Sequence, residues 1–222
     1  MSQTISHHTH TEGLIIHWAA RYDLLVQMLT LGRARRLRAR MADLLQTKPG
    51  DAVLDVGCGT GDLALVLAQR VGSGGTVTGI DASPEMIARA SQKARRKGAT
   101  IDFRLEPVEA LSFPDQSFDG AVSSLAFHHF PVDLRGQALA NIARVLKPGA
   151  QVCIIDAMPS SGHMRWHAAT MTGMHDLAEM LRAAGFTEIN SGRLKFSALN
   201  VLGFPTLGFV SARKAGGGEA GG

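Results

Sequence analysis

Val53-Leu54-Asp55-Val56-Gly57-Cys58-Gly59-Thr60-Gly61-Asp62 is the stretch on which the fold turns. Residues 52–56 form a short apolar run that reads as a strand. Glycines then recur at i, i+2 and i+4, and residues 62–71 carry a helical pattern. That spacing allows a tight strand-to-helix turn and a close approach of backbone to a ligand. A crevice at the carboxyl end of such a strand is where doubly wound sheets bind nucleotides.

Working outward, the same alternation repeats. Residues 72–75 are a glycine-rich turn, and 76–80 a β-branched strand. Ser83 as N-cap, Pro84 at the first helical position and Glu85 in the first turn predict a helix over 84–97. Strands follow at 100–105 and 118–124. A helix over 133–146 is expected to stop at Pro148-Gly149. A continuous apolar strand spans 150–157, a helix 174–184 ends at Gly185, and closing strands occupy 186–192 and 207–214. Upstream, residues 14–30 and 33–45 show helical spacing, with a turn at 48–51. Alternating strands and helices of this length mean an α/β domain built on a mostly parallel sheet.

Composition narrows the class. A chain of 222 residues is one domain with additions, and a hydrophobic fraction of 45% can build a sizeable core. The net charge of +4 neither demands nor excludes an anionic partner. Cys58 and Cys153 form no cluster, which argues against a disulfide-built fold and a structural zinc site. No apolar run is long enough to span a membrane. Residues 1–12 and the glycine-rich 215–222 read as disordered tails, and His7, His8 and His10 as part of a solvated tail rather than a metal site. A cytoplasmic protein with no metal is the expectation.

The second strand leads to Asp81, 20 residues beyond Gly61, where a carboxylate can accept both ribose hydroxyls of a nucleoside. The loop is neither the G-x-G-x-x-G of dinucleotide sites nor a P-loop. Asp55 and Asp62 beside it would repel a pyrophosphate and suit a ligand carrying an ammonium and a sulfonium. This favours S-adenosylmethionine over a nicotinamide dinucleotide.

Residues 53–61, then Gly79-Ile80-Asp81-Ala82-Ser83-Pro84-Glu85-Met86, Ser117-Phe118-Asp119 and Arg144-Val145-Leu146-Lys147-Pro148-Gly149, together resemble the class I S-adenosylmethionine-dependent methyltransferases. The branch they resemble includes the ubiquinone/menaquinone-biosynthesis C-methyltransferases (methyltransferase type 11/25). The resemblance implies a Rossmann-like seven-stranded sheet with helices on both faces, its last strand antiparallel, and an N-terminal helical extension. Residues 48–214 would be the methyltransferase domain and 13–47 helices capping the substrate.

By the same resemblance, Asp55 would orient the methionine ammonium, and Gly57 and Gly59 would let backbone lie under the methionine part. Cys58 fills the loop between them, and Ser124 ends the fourth strand beside it. Asp81 would hold the ribose, with Ala82 and Met86 near the adenosine. Relatives often carry Asp where Pro107 stands, so the adenine contact falls to Glu106 and the Val108 backbone.

Methyl transfer is an in-line displacement that asks chiefly for alignment and exclusion of water. His128 and His129 follow the fourth strand at the crevice rim and are the candidate general bases, with ordinary packing as their competing reading. An adaptable apolar acceptor pocket could draw on Trp18, Tyr22, His128, Met158 and Trp166. Arg33, Arg35, Arg36, Arg38 and Arg40 read as the solvated face of an amphipathic helix, or as a contact for anionic lipid or RNA. Scarce Trp and Tyr, and Ser123-Ser124-Leu125-Ala126 where base-methylating enzymes carry Asn/Asp-Pro-Pro-aromatic, argue against nucleic acid.

The expected function is S-adenosylmethionine-dependent methylation of a small hydrophobic or aromatic metabolite. The alternatives are a membrane-surface quinone or phospholipid-headgroup methyltransferase and a non-catalytic S-adenosylmethionine-binding partner protein. The sequence sets no oligomeric state.

Overall fold

The computed structural model describes residues 34–157, 173–194 and 207–216. The helix expected over 14–30, most of the glycine-rich tail, and the pocket candidates Trp18, Tyr22, Met158 and Trp166 lie outside them. In chain order the elements are α1 (Ala34–Leu44), β1 (Ala52–Val56), α2 (Asp62–Val71), β2 (Thr76–Asp81), α3 (Pro84–Arg96), β3 (Asp102–Leu105), β4 (Phe118–Ser124), α4 (Arg135–Val145), β5 (Leu146–Ala157), α5 (Met174–Ala183), β6 (Phe186–Leu194) and β7 (Leu207–Lys214). Short 3-10 turns occupy Val108–Ala110 and Phe127–His129.

The seven strands form one sheet in the order β3-β2-β1-β4-β5-β7-β6. β1 through β5 pair in parallel, and β7 runs antiparallel between β5 and β6. The order reverses between β1 and β4, so the crevice at their carboxyl ends is the topological switch point.

Strand alternation divides the core into two layers. Leu54, Ile80, Ala121, Val152 and Ile154 face α4 and α5 through Leu139, Ile142 and Leu181. Val53, Val77, Val122, Cys153 and Ile155 face α1 and α2 through Leu37, Met41, Leu63 and Leu67. Each Val, Leu, Ile or Met among them, taken fully out of water, contributes about 1.5–3 kcal/mol. Helix α1 therefore shares a core with β1. Arg70 of α2 ties the two helices by donating to the Ala39 carbonyl at 3.0 Å and pairing with Asp43 at 2.6 Å.

The expected element boundaries hold to within two residues except where α4 meets β5. Pro148-Gly149 does not stop a helix. Helix α4 ends at Val145, and β5 begins at once with Leu146 opposite Phe118. The ladder then jumps to Gln151 opposite Gly120. The intervening residues leave the ladder there: proline has no N–H to give, and Gly149 adopts φ +75°. Lys147 and Arg144 beside this bulge brace the sheet's far end. Lys147 bonds Asp119 at 2.6 Å, and Arg144 donates to the carbonyls of Leu111 and Phe113, each at 2.7 Å. Two of the four sequence blocks that resemble the methyltransferases thus hold each other and the chain between them, away from the crevice.

Candidate functional site

The crevice is walled on one side by the β1–α2 loop. Gly57, Gly59 and Gly61 all have positive φ, at +68°, +53° and +79°. A side chain at Gly57 would run into Ala126 Cβ, whereas around Gly59 there is open space, on the side of the cavity. The loop is thus a cradle that a Cβ at 59 would begin to fill. Cys58 N–H donates to the Ile80 carbonyl at 2.9 Å, fastening the loop to β2. Lys93 reaches down from α3 to Thr60 Oγ1 and Asp62 Oδ1, both at 2.8 Å, and fastens its far side.

Asp81 sits where β2 ends, and its carboxylate joins two backbones. Oδ2 accepts from Gly59 N–H and Oδ1 from Ser83 N–H, each at 2.9 Å. Ser83 Oγ in turn accepts from Met86 N–H at 3.3 Å and caps α3. A carboxylate can accept about four hydrogen bonds, and Asp81 lines the cavity, so acceptor capacity remains there for a ligand hydroxyl. Burial pushes Asp81 above the ordinary carboxylate range, against the pull of the Ser83 and Gly59 amides.

Asp55, next to the carboxyl end of β1, is 1% exposed, and its Oδ2 has no hydrogen-bond partner. Burial raises its pKa to about 7; Arg38 opposes the shift, and Asp81 adds to it. Burial and the same two carboxylates push the Cys58 thiol well up, so it is a filler and not a nucleophile.

The ten cofactor candidates all line this one cavity: Asp55, Gly57, Cys58, Gly59, Asp81, Ala82, Met86, Glu106, Val108 and Ser124. Pro107 lines it as well. The Glu106 carboxylate is already engaged by Ser112 N–H, and Asn141 of α4 holds the Val108 carbonyl at 3.3 Å. Ser124 Oγ donates to Met41 Sδ at 3.2 Å, linking the cavity wall to α1.

The opposite wall follows β4. Leu125 takes φ +56°, which is uncommon for a leucine, while its N–H donates to the Ile155 carbonyl at 2.8 Å. The turn Phe127–His129 is pinned from below by fully buried Phe127 and by Arg135 of α4, which donates to the Phe130 carbonyl at 3.1 Å and the His128 carbonyl at 3.3 Å.

The two histidines part ways here. His129 lines the cavity. His128 is outside the lining and turns to Asp156 near the end of β5: its backbone N–H reaches Oδ2 at 2.9 Å and its Nδ1 lies 2.6 Å from Oδ1. The rings meet with centroids 3.9 Å apart. A carboxylate-held imidazole therefore backs the imidazole that faces the ligand space.

Two residues of the site, Asp156 and Arg38, were not among the site candidates read from the sequence. Asp156 was readable in principle, as a carboxylate at the carboxyl end of a buried parallel strand. Arg38, expected on a solvated face, is 7% exposed and lines the cavity, unlike exposed Arg35, Arg36 and Arg40. Its helical spacing to Met41, Ala42 and Leu45 was the signal, since that row is the buried one.

The site fits S-adenosylmethionine: an open cradle at Gly59, a carboxylate at the end of β2, and an orphaned buried carboxylate oxygen at Asp55. A family model described as a methyltransferase domain matches residues 53–149. The chain is 39% identical over 141 residues to demethylmenaquinone methyltransferase of Thermus thermophilus, covering 64% of this chain and 63% of that protein. It thus spans a little under two thirds of that relative's length. It is 32% identical over 195 residues to the ubiquinone/menaquinone biosynthesis C-methyltransferase UbiE of Geobacter sp. M21, covering 87% of this chain and 78% of the relative. The solved structure of the cyclase SpnF is 26% identical and superposes with a TM-score of 0.69, over 83% of this chain and 82% of that one. The chain belongs to the class I S-adenosylmethionine-dependent methyltransferases, in the branch of the ubiquinone/menaquinone C-methyltransferases.

Proposed function

We propose that the protein transfers a methyl group from S-adenosylmethionine to a small hydrophobic or aromatic acceptor. The observation that carries this is the shared lining of the cavity, which joins the Gly57–Gly61 cradle and Asp81 to His129 across one ligand space. When bound, S-adenosylmethionine supplies a methyl group already activated on a sulfonium. The protein's part is then alignment and dryness, and positioning of this kind is worth on the order of 7–11 kcal/mol. Asp81 holds the ribose, Met86 and Val108 flank the base, and Asp55 faces the ammonium. His129 takes the acceptor's proton at a ring nitrogen. His128, fixed by Asp156, is a positioning residue that holds the His129 ring in its plane. The N-terminal segment 13–47, of which α1 is the described part, is assigned to covering the acceptor. The quinone-methylating relatives support an acceptor of quinol-like chemistry. Among the described residues no helix is long and apolar enough to cross a membrane. Two buried free cysteines fit a reducing, cytoplasmic setting.

The test is turnover. Incubated with S-adenosylmethionine and a panel of quinols, phenols and amines, the protein is expected to form S-adenosylhomocysteine and a methylated acceptor in equal amounts. Tight binding of the cofactor with no turnover on any acceptor would make it a binding partner instead. Turnover that requires anionic vesicles would make it a membrane-surface enzyme.

A further inference from the structure

The charge of the chain is unevenly laid out. Helices α1, α2 and α3 carry nine Lys and Arg against three Asp and Glu. On the other face of the sheet, α4 and α5 carry three against two. The first three helices lie side by side: Arg70 of α2 pairs with Asp43 of α1 at 2.6 Å, and Lys93 of α3 with Asp62 of α2 at 2.8 Å. Their third carboxylate, Glu85, accepts from Ser83 Oγ at 3.0 Å. The acids of this layer are thus engaged inside it, while five arginines are exposed on it: Arg35, Arg36 and Arg40 on α1, Arg95 and Arg96 on α3. Arg36 and Arg40 stand one turn apart, a spacing at which like charges destabilise a helix. The methyl-transfer reading gives none of the five a task.

Their placement says what could answer them. Packed helices stand about 8–10 Å apart, so α1 and α3, on either side of α2, are about 16–20 Å apart. A small anion cannot reach both groups. None of the three helices contains Phe, Trp or Tyr, so the layer offers no platform on which bases could stack. A broad sheet of negative charge answers both groups at once, and a bilayer face carrying anionic headgroups is such a sheet. We propose that the α1–α3 layer docks the protein on an anionic phospholipid bilayer through Arg35, Arg36, Arg40, Arg95 and Arg96. The same helices give Arg38, Leu63 and Met86 to the cavity lining. Docking therefore holds one rim of the cavity beside lipid, where apolar acceptors collect. That consequence rests on the methyl-transfer reading, and the docking itself does not.

The experiment is flotation of the full chain with vesicles, in the absence of cofactor and acceptor. The vesicles are phosphatidylcholine alone, or phosphatidylcholine with about a third phosphatidylglycerol. One double variant joins Arg35→Gln to Arg36→Gln, and a second joins Arg95→Gln to Arg96→Gln. A control of equal charge loss joins Arg182→Gln on α5 to Arg193→Gln on β6. Thermal melting checks that each variant folds. The expected result is binding to the anionic vesicles alone, released by high salt. Each arginine pair on the α1–α3 layer should weaken it by about thirtyfold, the scale of two basic residues at an anionic surface. The control should change it by less than about threefold, since its charges lie off the docking face. Absence of binding to the anionic vesicles would overturn the proposal. Equal weakening by the control would overturn it too, by reducing the attraction to net charge. Binding of single-stranded RNA in place of the vesicles would hand the layer to a nucleic acid. None of these outcomes touches the methyl-donor reading, which stands or falls on cofactor binding and turnover.

Discussion

The two walls of the cavity are built by different means. The β1–β2 wall is made of backbone: a carboxylate at Asp81 gathers the amides of Gly59 and Ser83, and three glycines take positive φ so that the chain can do this. The β4–β5 wall is made of side chains that meet across the sequence: His128 with Asp156, Arg135 with the Phe127–His129 turn. The first wall is a holder whose parts lie within about thirty residues of each other. The second brings together three segments, the turn after β4, α4 and β5, and places a titratable ring, His129, against the ligand space. The proposed function assigns holding and reacting to separate walls, and variants should separate them.

The largest effect is expected on the reacting wall. His129→Gln keeps a polar side chain and removes the base. For an acceptor that must lose a proton, it should lower kcat by roughly 10²–10⁴-fold. Cofactor affinity, measured by calorimetry, should stay within twofold. The acid limb of the kcat–pH profile should vanish with it. A loss of cofactor binding in this variant would mean that the walls are not separable. An unchanged kcat would move the proton to another group or to water.

The holding wall should answer to pH through Asp55. Its carboxyl titrates at about 7 in the folded chain against an ordinary 3.8, because burial disfavours the charge. The folded state therefore holds a proton that the unfolded state has released between those values. Stability should fall as pH rises through that window and level off above it, by a total of about 4 kcal/mol. Asp55→Asn should flatten this part of the melting profile and leave the protein more stable than the parent at pH 8. Ligand binding should run the other way. An ammonium partner needs the carboxylate, so affinity for S-adenosylmethionine should rise from pH 6 to pH 8 in the parent and lose this dependence in Asp55→Asn. A parent melting profile that is flat from pH 4 to 8 would contradict the burial argument.

The contrast between the walls also explains what could be read in the sequence. Strand β1, helix α2, the capped start of α3 and the glycine loop were legible because their causes are local: apolar runs, a Ser-Pro-Glu start, glycine spacing. Asp81 was legible because it stands at the end of the next strand. Pro148-Gly149 was read as a helix stop, when the helix had already ended at Val145 and the pair makes a bulge inside β5; a local signal was right about a break and silent about which element it breaks. The contact of His128 with Asp156 spans 28 residues, and nothing in either neighbourhood announces the other. Arg38 was hidden by its companions. Five arginines in a short span suggest a solvated face, and only the helical phase of Met41, Ala42 and Leu45 separates the buried one from the exposed ones.

A smaller effect sharpens the comparison at its joint. Asp81 is a structural group, since its two oxygens bridge the glycine loop and the start of α3, and the proposed function makes it a binding group as well. Asp81→Asn keeps one oxygen as acceptor and turns the other position into a donor facing an amide N–H, so one of the two bridges must break. Asp81→Ala removes both, and with them the ribose acceptor. If the carboxylate's bond to the ribose dominates, Asp81→Ala should weaken S-adenosylhomocysteine by about 1.5–3 kcal/mol, the scale of hydrogen bonds to a charged group. Its melting temperature should fall only slightly, because removing Asp81 also relieves the cost of burying a carboxylate. If the bridge dominates, the melting temperature falls steeply, and S-adenosylhomocysteine weakens together with 5′-methylthioadenosine, which lacks the amino acid end, through a loosened loop. Asp55→Asn, measured on the same two probes, completes the comparison: Asp81→Ala should cost both probes, and Asp55→Asn only the one with an amino acid end. The proposed reading of the holding wall predicts that pattern, because it gives the carboxylate at the end of β2 to the nucleoside and the one near the end of β1 to the ammonium.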